Sequence, residues 1–445
     1  MMSEQSVRLR DVCVKIGSGA TPRGGKEAYK GGATSLIRSQ NIYNDGFSRD
    51  GLVYIDDDQA RELRNVDVRP NDVLLNITGD SVARCCQVAA DVLPARVNQH
   101  VAIIRPRPDA LDAQFLRYIL VSHEYQSRLL ALASAGATRP ALTKAMIEDL
   151  DIPAYPLAKQ QAIANILGSL DDKIELNRRM NETLEGLARA IFQSWFVDFD
   201  PVRARRDGMA PPGLAPEIAA LFPDSFEDSK LGKIPTGWGV QTIGDFCTKI
   251  TDGSHSSPKS VERGRPMASV KDMTNWGINI ASCRMISPGD FETVAANDCQ
   301  PMLGDVLLAK DGATCLDTVC EYRQPHKIVL LSSVAILRPK LIGSSAYLHI
   351  WLGLDSTKSY LKEGFVSGSA IPRVVLRDLK RAQLVVPDAP LLSAFTKCVE
   401  PLRDQTRRNN DECISLAAIR DVLLPKLLSG EIRVANAERL VEDAT

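Results

Sequence analysis

The chain has 445 residues, of which 44% are hydrophobic and 24% charged, and 54 Lys and Arg against 55 Asp and Glu leave a formal net charge of −1. That length exceeds one ordinary core and predicts two to four domains in a folded globular chain rather than a disordered one. Near-neutrality excludes a protein that coats nucleic acid by bulk attraction, although local basic surface stays open.

In chain order, the opening "MMSEQSVRLRDV" lacks the apolar core of a secretory signal, and no later run approaches the roughly 18 apolar residues that span a membrane. The ten cysteines form no CxxC pair or zinc set, which predicts reduced thiols, no metal site and a cytoplasmic location. Residues 1–156 then mix short β-branched runs, "DVLLNI" and "HVAIIRP" among them, with Gly, Asn and Asp punctuation. These read as strands joined by turns. One helix is predicted inside them, "DAQFLRYILVSHEYQSRLLAL" from Asp112 to Leu132.

Residues 157–199 change period. Ile163, Leu167, Leu170, Ile174, Asn177, Asn181, Leu184, Ala188, Ile191 and Trp195 recur at alternating steps of four and three. Such a heptad seam predicts a long helix packed on another helix, with the central asparagines fixing register. Residues 200–236, rich in proline and charge, suit an ordered but irregular linker.

The second half of the chain repeats the first. "VAIIRP" at Val101 returns as "VAILRP" at Val334, 233 residues on. "LRDVCVKIGSG" from Leu9 meets "IGDFCTKITDG" from Ile243, "NDVLLNITGD" meets "GDVLLAKDGA", and "GATRP" from Gly136 meets "GSAIP" from Gly368. The offsets stay between 231 and 234, a drift that small loop insertions account for, so the whole unit is duplicated. Residues 237–388 make the second globular unit, 389–430 a second long helix and 431–445 a C-terminal tail. The second seam (Phe395, Val399, Leu402, Thr406, Asn409, Cys413, Leu416, Leu423 and Leu427) is interrupted by Arg420. Two matching helices most simply pack on each other; the alternative is that each covers only its own sheet.

No G-x-x-x-x-G-K-[ST] loop, G-x-G-x-x-G turn or Asn-Pro-Pro-aromatic motif occurs, and none of the five histidines sits in a nucleophile–base arrangement. A duplicated chain without a catalytic signature points to recognition or scaffolding. Base edges are read by polar side chains on a rigid frame. In the first unit the candidates are Arg38, Ser39, Gln40, Asn41, Asn76, Thr78, Arg84, Asn98, Gln99, His100 and Arg139. In the second they are His255, Ser256, Ser269, Lys271, Asp272, Lys310, Asp311, Thr314 and Arg373. The frames match while these loops differ, as two readers of different texts require.

The segment "PLAKQQAIANILGSLDDKIELNRRMNETLEGLARAIFQSWFVDFDPV", followed by "LFPDSFEDSKLGKIPTGW" and supported by "GSAIP" and "KDGAT", resembles the specificity subunits of type I restriction–modification systems over essentially the whole chain. The resemblance implies an α+β fold: two pseudo-repeated globular α/β target-recognition domains separated by two long antiparallel coiled-coil helices. It implies a non-catalytic subunit that reads a bipartite, asymmetric double-stranded DNA site, one half per domain. Two methyltransferase subunits would dock on the helices and bring the restriction and translocase subunits, and S-adenosylmethionine, ATP and Mg would sit on those partners. The second helix departs from the pattern, with "PLLSAFTKCVEPLRDQ" where the first has the Gln-Gln opening. Rival readings are an enzyme with an unrecognised site, a duplicated scaffold that never touches DNA, and a specificity subunit of a modification-only system.

Overall fold

A computed structural model describes residues 6–442 apart from 23, 25–28, 30, 136–139, 342 and 369–371. The chain divides into two units, Met1–Leu176 with Cys413–Thr445 and Asn177–Glu412. Each of the two 40-residue helices, Leu157–Phe196 and Ala389–Leu428, contributes one end to each unit.

The first unit contains strands β1 (Ser6–Arg8), β2 (Cys13–Ser18), β3 (Thr34–Ile37), β4 (Val53–Ile55), β5 (Asp67–Val68), β6 (Val73–Asn76), β7 (Cys85–Gln87), β8 (Ala95–Val97), β9 (Val101–Pro106) and β10 (Asp151–Pro153). One antiparallel sheet runs β2-β9-β6-β7, a second runs β4-β3-β8-β5, and β1 pairs with β10. "VAIIRP" is the buried β9, and its register with β2 shifts at Pro106. Its apolar run is continuous because both faces are covered. Ala102 and Ile104 join a core with the helices, while Val101 and Ile103 join a core with the second sheet.

The Asp72 carboxylate, fully buried, accepts from Arg105 Nε at 2.7 Å and Nη2 at 2.8 Å, and from the Arg69 backbone N–H at 2.7 Å. The repeated "DVLL" and "VAI-RP" phrases are thus the two ends of one clamp between neighbouring strands. The predicted helix over Asp112–Leu132 is two, α1 (Ala113–Val121) and α2 (His123–Ser134). Ser122, in extended conformation, breaks them apart and caps the second by accepting from the Tyr125 N–H.

Ile163, Leu167, Leu170 and Ile174 share the first unit's core with Leu416, Leu423 and Leu427, and half-buried Cys413 lies against the Ile174 carbonyl at 3.6 Å. Arg420 is no flaw in this seam. It donates to Asp171 Oδ1 at 2.7 Å, while Asp171 Oδ2 accepts from Arg117 at 2.5 Å and the Tyr118 hydroxyl at 2.7 Å. Burial alone would push the Asp171 carboxyl up, but the Arg117 and Arg420 guanidiniums outweigh it and hold it below the usual carboxylate range. The C-terminal segment is also more than a tail, since its helix Val434–Glu442 buries Ala437 and Val441 in this unit's core.

The second unit repeats the plan with β11 (Phe226–Ser229), β12 (Gly232–Pro235), β13 (Gly239–Thr242), β14 (Cys247–Asp252), β15 (Ser260–Ala268), β16 (Arg284–Ile286), β17 (Val306–Ala309), β18 (Val319–Glu321), β19 (Val329–Leu330), β20 (Val334–Pro339) and β21 (Gln383–Val386). The sheet β14-β20-β17-β18 has the strand order of β2-β9-β6-β7. "VAILRP" is β20, and Arg338 clamps Asp305 at 2.7 and 2.8 Å as Arg105 clamps Asp72. Helices α3 (Ser345–Gly353) and α4 (Asp355–Phe365) stand for α1 and α2. Residues 200–236 are part of this unit rather than an irregular connector. They form a helix at Asp200–Arg206 and the β11–β12 hairpin, and Val202, Phe222 and Ile234 enter the core.

In this unit Ala188, Trp195, Phe395 and Val399 are buried and Leu184, Ile191, Leu402 and Thr406 half-buried. Phe192 and Phe196, outside the ten seam positions, are as deeply packed and touch Phe395 at ring distances of 5.7 and 5.0 Å. The polar middle is bonded across the seam: Asn409 donates to Asn181 Oδ1 at 2.9 Å, and Asn177 donates to Glu412 at 2.8 Å, while the buried Asn181 Nδ2 finds no partner among the described residues. In both units residue numbers rise along one helix as they fall along the other, so the pair is antiparallel. None of the described helices is long and apolar enough to cross a membrane.

Candidate nucleic-acid interface

The loops named from the sequence converge within each unit, and the same backbone bonds gather them. In the first, Ile77 N–H donates to His100 O at 2.9 Å and Gly79 N–H to Pro140 O at 3.3 Å. In the second, Lys310 N–H donates to Ser333 O at 3.0 Å and Gly312 N–H to Pro372 O at 3.0 Å. Backbone bridges Thr78–Ala141 and Asp311–Arg373 fall at matching places. Arg139 lies outside the described residues.

Several candidate side chains hold the frame instead of facing solvent. Asn41 is fully buried; its amide donates to the carbonyls of Ser48 and Asp50, and its Oδ1 accepts from the Arg38 N–H at 3.0 Å. Asp272 does the same work in the second unit, accepting from the Ser269 N–H at 2.8 Å and the Ser269 and Ser282 hydroxyls at 2.9 Å. Asn76, also fully buried, donates to Ser39 O at 2.9 Å, and buried Asn98 accepts from the His100 N–H at 3.1 Å. A direct base contact for Asn41, Asn76, Asn98, Ser269 and Asp272 is therefore at odds with their burial. Sequence reasoning missed this because a turn-fixing Asn and a base-reading Asn look alike in a polar loop.

Lys310 belongs with them. Its side chain is 5% exposed, and its ammonium pairs with Asp252 at 3.1 Å and Asp311 at 3.4 Å. Asp252 also faces His255 at 3.3 Å, and Asp311 accepts from Arg373 at 2.9 Å. The hydrogen bond to Asp311 raises the Arg373 pKa above its ordinary value.

The solvent-facing set is smaller. Gln40 and Gln99 are exposed in the first unit, and His255, Ser256, Lys271, Thr314 and Arg373 in the second. Arg38, Ser39, Thr78, Arg84, His100 and Asp311 are half-buried. Thr78 Oγ1 lies 2.7 Å from His100 Nδ1, and the Arg84 and Arg38 guanidiniums rest over Tyr43 and Tyr29 at 4.9 and 5.5 Å. Planar cations and amides on fixed turns suit carbonyl and ring-nitrogen edges.

Residues 3–186 match the family described as "Type I restriction modification DNA specificity domain". The chain is 26% identical over 347 residues to the type I restriction enzyme MjaIX specificity subunit of Methanocaldococcus jannaschii, covering 77% of this chain and 74% of that one. It is 27% identical over 411 residues to the HindI specificity subunit of Haemophilus influenzae, covering 82% and 87%. Its fold is like that of the type I restriction–modification S subunit from M. genitalium, at a TM-score of 0.50 and 17% identity over 95% of each chain.

Proposed function

The chain belongs to the specificity subunits of type I restriction–modification systems, and from that premise we propose that it reads a bipartite, asymmetric double-stranded DNA site with one unit per half-site. The observation that carries this reading is the repeated loop cluster. Identical backbone bonds present Gln40, Gln99 and Thr78 in one unit and Lys271, Thr314 and Arg373 in the other. Equal frames with unequal side chains favour a site whose halves differ.

In this reading the chain turns nothing over. Two methyltransferase subunits dock on the long helices and carry the restriction and translocase subunits; S-adenosylmethionine, ATP and Mg belong to those partners. Large apolar side chains left on the outer helix faces support the docking, with Ile414 and Val422 56% and 57% exposed in the first unit, and Met180 and Leu187 39% and 49% in the second. Sequencing methylated adenines in cells that carry this chain with its methyltransferase tests the reading. A two-part, non-palindromic site is expected, and replacing the second unit's loops changes one half of it only. Methylation without a defined two-part site refutes the proposal.

A further inference from the structure

A basic surface in the second unit follows directly on the loop of His255 and Ser256. β15 is nine residues long, yet Ser260 to Arg265 are all exposed. Ser260 and Arg265 both pair with Ile286 of β16, so the four residues between them leave the ladder as an arm. The arm and its approach carry Lys259, Arg263 and Arg265 against the one carboxylate of Glu262. Lys259 and Arg263 make no hydrogen bond or ion pair among the described residues. Isolated surface cations are common, but these stand on a braced base.

That base is stiff on three counts. Gly264 comes so near β16 that a Cβ there would lie 2.1 Å from the Ile286 carbonyl oxygen. Arg284 Nη1 donates to the Ser257 hydroxyl at 2.9 Å, and Arg265 rests over the Phe291 ring at 5.8 Å. The arm also springs from the same hub as the recognition loops. Ser254 N–H donates to Leu330 O at 2.7 Å, Ser332 N–H to Ser254 O at 3.0 Å, and Val270 N–H to the Ser333 hydroxyl at 3.2 Å. In sequence the first repeat has Arg23, Lys26 and Lys30 between the corresponding landmarks.

We propose that Lys259 and Arg263, on the arm before and within β15, bind two backbone phosphates of the DNA beside the second half-site and so anchor that unit in register. The inference rests on the DNA-reading function proposed above. Free cations on a braced arm suit phosphate, which fixes position and carries no sequence information. The arm accordingly sets affinity and salt dependence, while the loops set the sequence.

The test uses the assembled methyltransferase complex and its cognate duplex, titrated from 50 to 300 mM salt. Each neutralised phosphate contributes about 0.9 to the slope of log K against log salt, so Lys259→Ala with Arg263→Ala flattens the slope by about 1.8. The methylated sequence stays the same. Lys259→Arg with Arg263→Lys, which keeps both charges, retains the parental slope. An unchanged slope and affinity in the double alanine variant overturns the arm, as does a changed methylated sequence, which would mean base reading. Failure of the unsubstituted complex to prefer any sequence overturns the broader function instead, and the two failures are told apart in one titration series.

Discussion

Replacing the buried aspartate of each repeated clamp, Asp72→Asn and Asp305→Asn, probes how the duplicated frame is held. Asp72 is 0% and Asp305 1% exposed, and each takes two guanidinium hydrogen bonds and one backbone N–H. The amide keeps the shape, loses the charge and turns an N–H2 group toward a guanidinium. Removing one partner of a buried pair costs about 3–5 kcal/mol, because the remaining charge stays without compensation. The two sites are not equal. Arg105 is 14% exposed and is also tied to the Asp67 carbonyl at 3.0 Å, whereas Arg338 is 28% exposed. Arg338 has more access to water, so Asp305→Asn is expected to cost less, by about 1 kcal/mol, at the lower end of that range. Hydrogen exchange on β6 and β9, and separately on β17 and β20, reads each unit by itself. Adding Arg105→Met to Asp72→Asn should recover part of the loss, since no orphan charge remains. Equal costs at the two sites, or losses under about 1 kcal/mol at both, would refute the reasoning.

The same geometry sets three further outcomes. His349 is half-buried in the second unit, its Nε2–H directed at the Val319 carbonyl at 3.3 Å, and loss of hydration drives its pKa down to about 4. The unfolded chain therefore binds the proton first. The second unit should lose stability as pH falls from about 6.5 to about 4, by at most about 3 kcal/mol, and His349→Gln should remove that slope in acid unfolding. Asp171, depressed below its ordinary 3.8, stabilises the first unit above that pH and ceases to as pH falls through its folded value; exchange measured below pH 4 should show the first unit opening there, and Asp171→Asn abolishing the dependence. Exposed Lys271 and buried Lys310 should separate function from folding. Lys271→Glu is expected to weaken DNA binding by the complex about tenfold with unchanged melting, whereas Lys310→Glu faces Asp252 and Asp311 and lowers the second unit's stability by several kcal/mol, read by calorimetry.

The sequence by itself determined the duplication, the two long helices and their seam, and the strands marked by "VAIIRP" and "VAILRP", because periodicity and a fixed offset are local properties of the chain. It also pointed to the loops that gather at one place in each unit. Tertiary structure decided which side chains in those loops remain available. Asn41 and Gln40 are neighbours in one polar turn, yet one is fully buried beneath three hydrogen bonds and the other faces water. Arg420 read as a defect because Asp171 and Arg117 lie 249 and 303 residues away, and only packing brings them together. The exposed arm before and within β15 was equally hidden: it carries no motif, and only its departure from the ladder reveals it. Periodicity reports which face an element buries, whereas the fate of a single polar side chain depends on partners that the fold alone supplies.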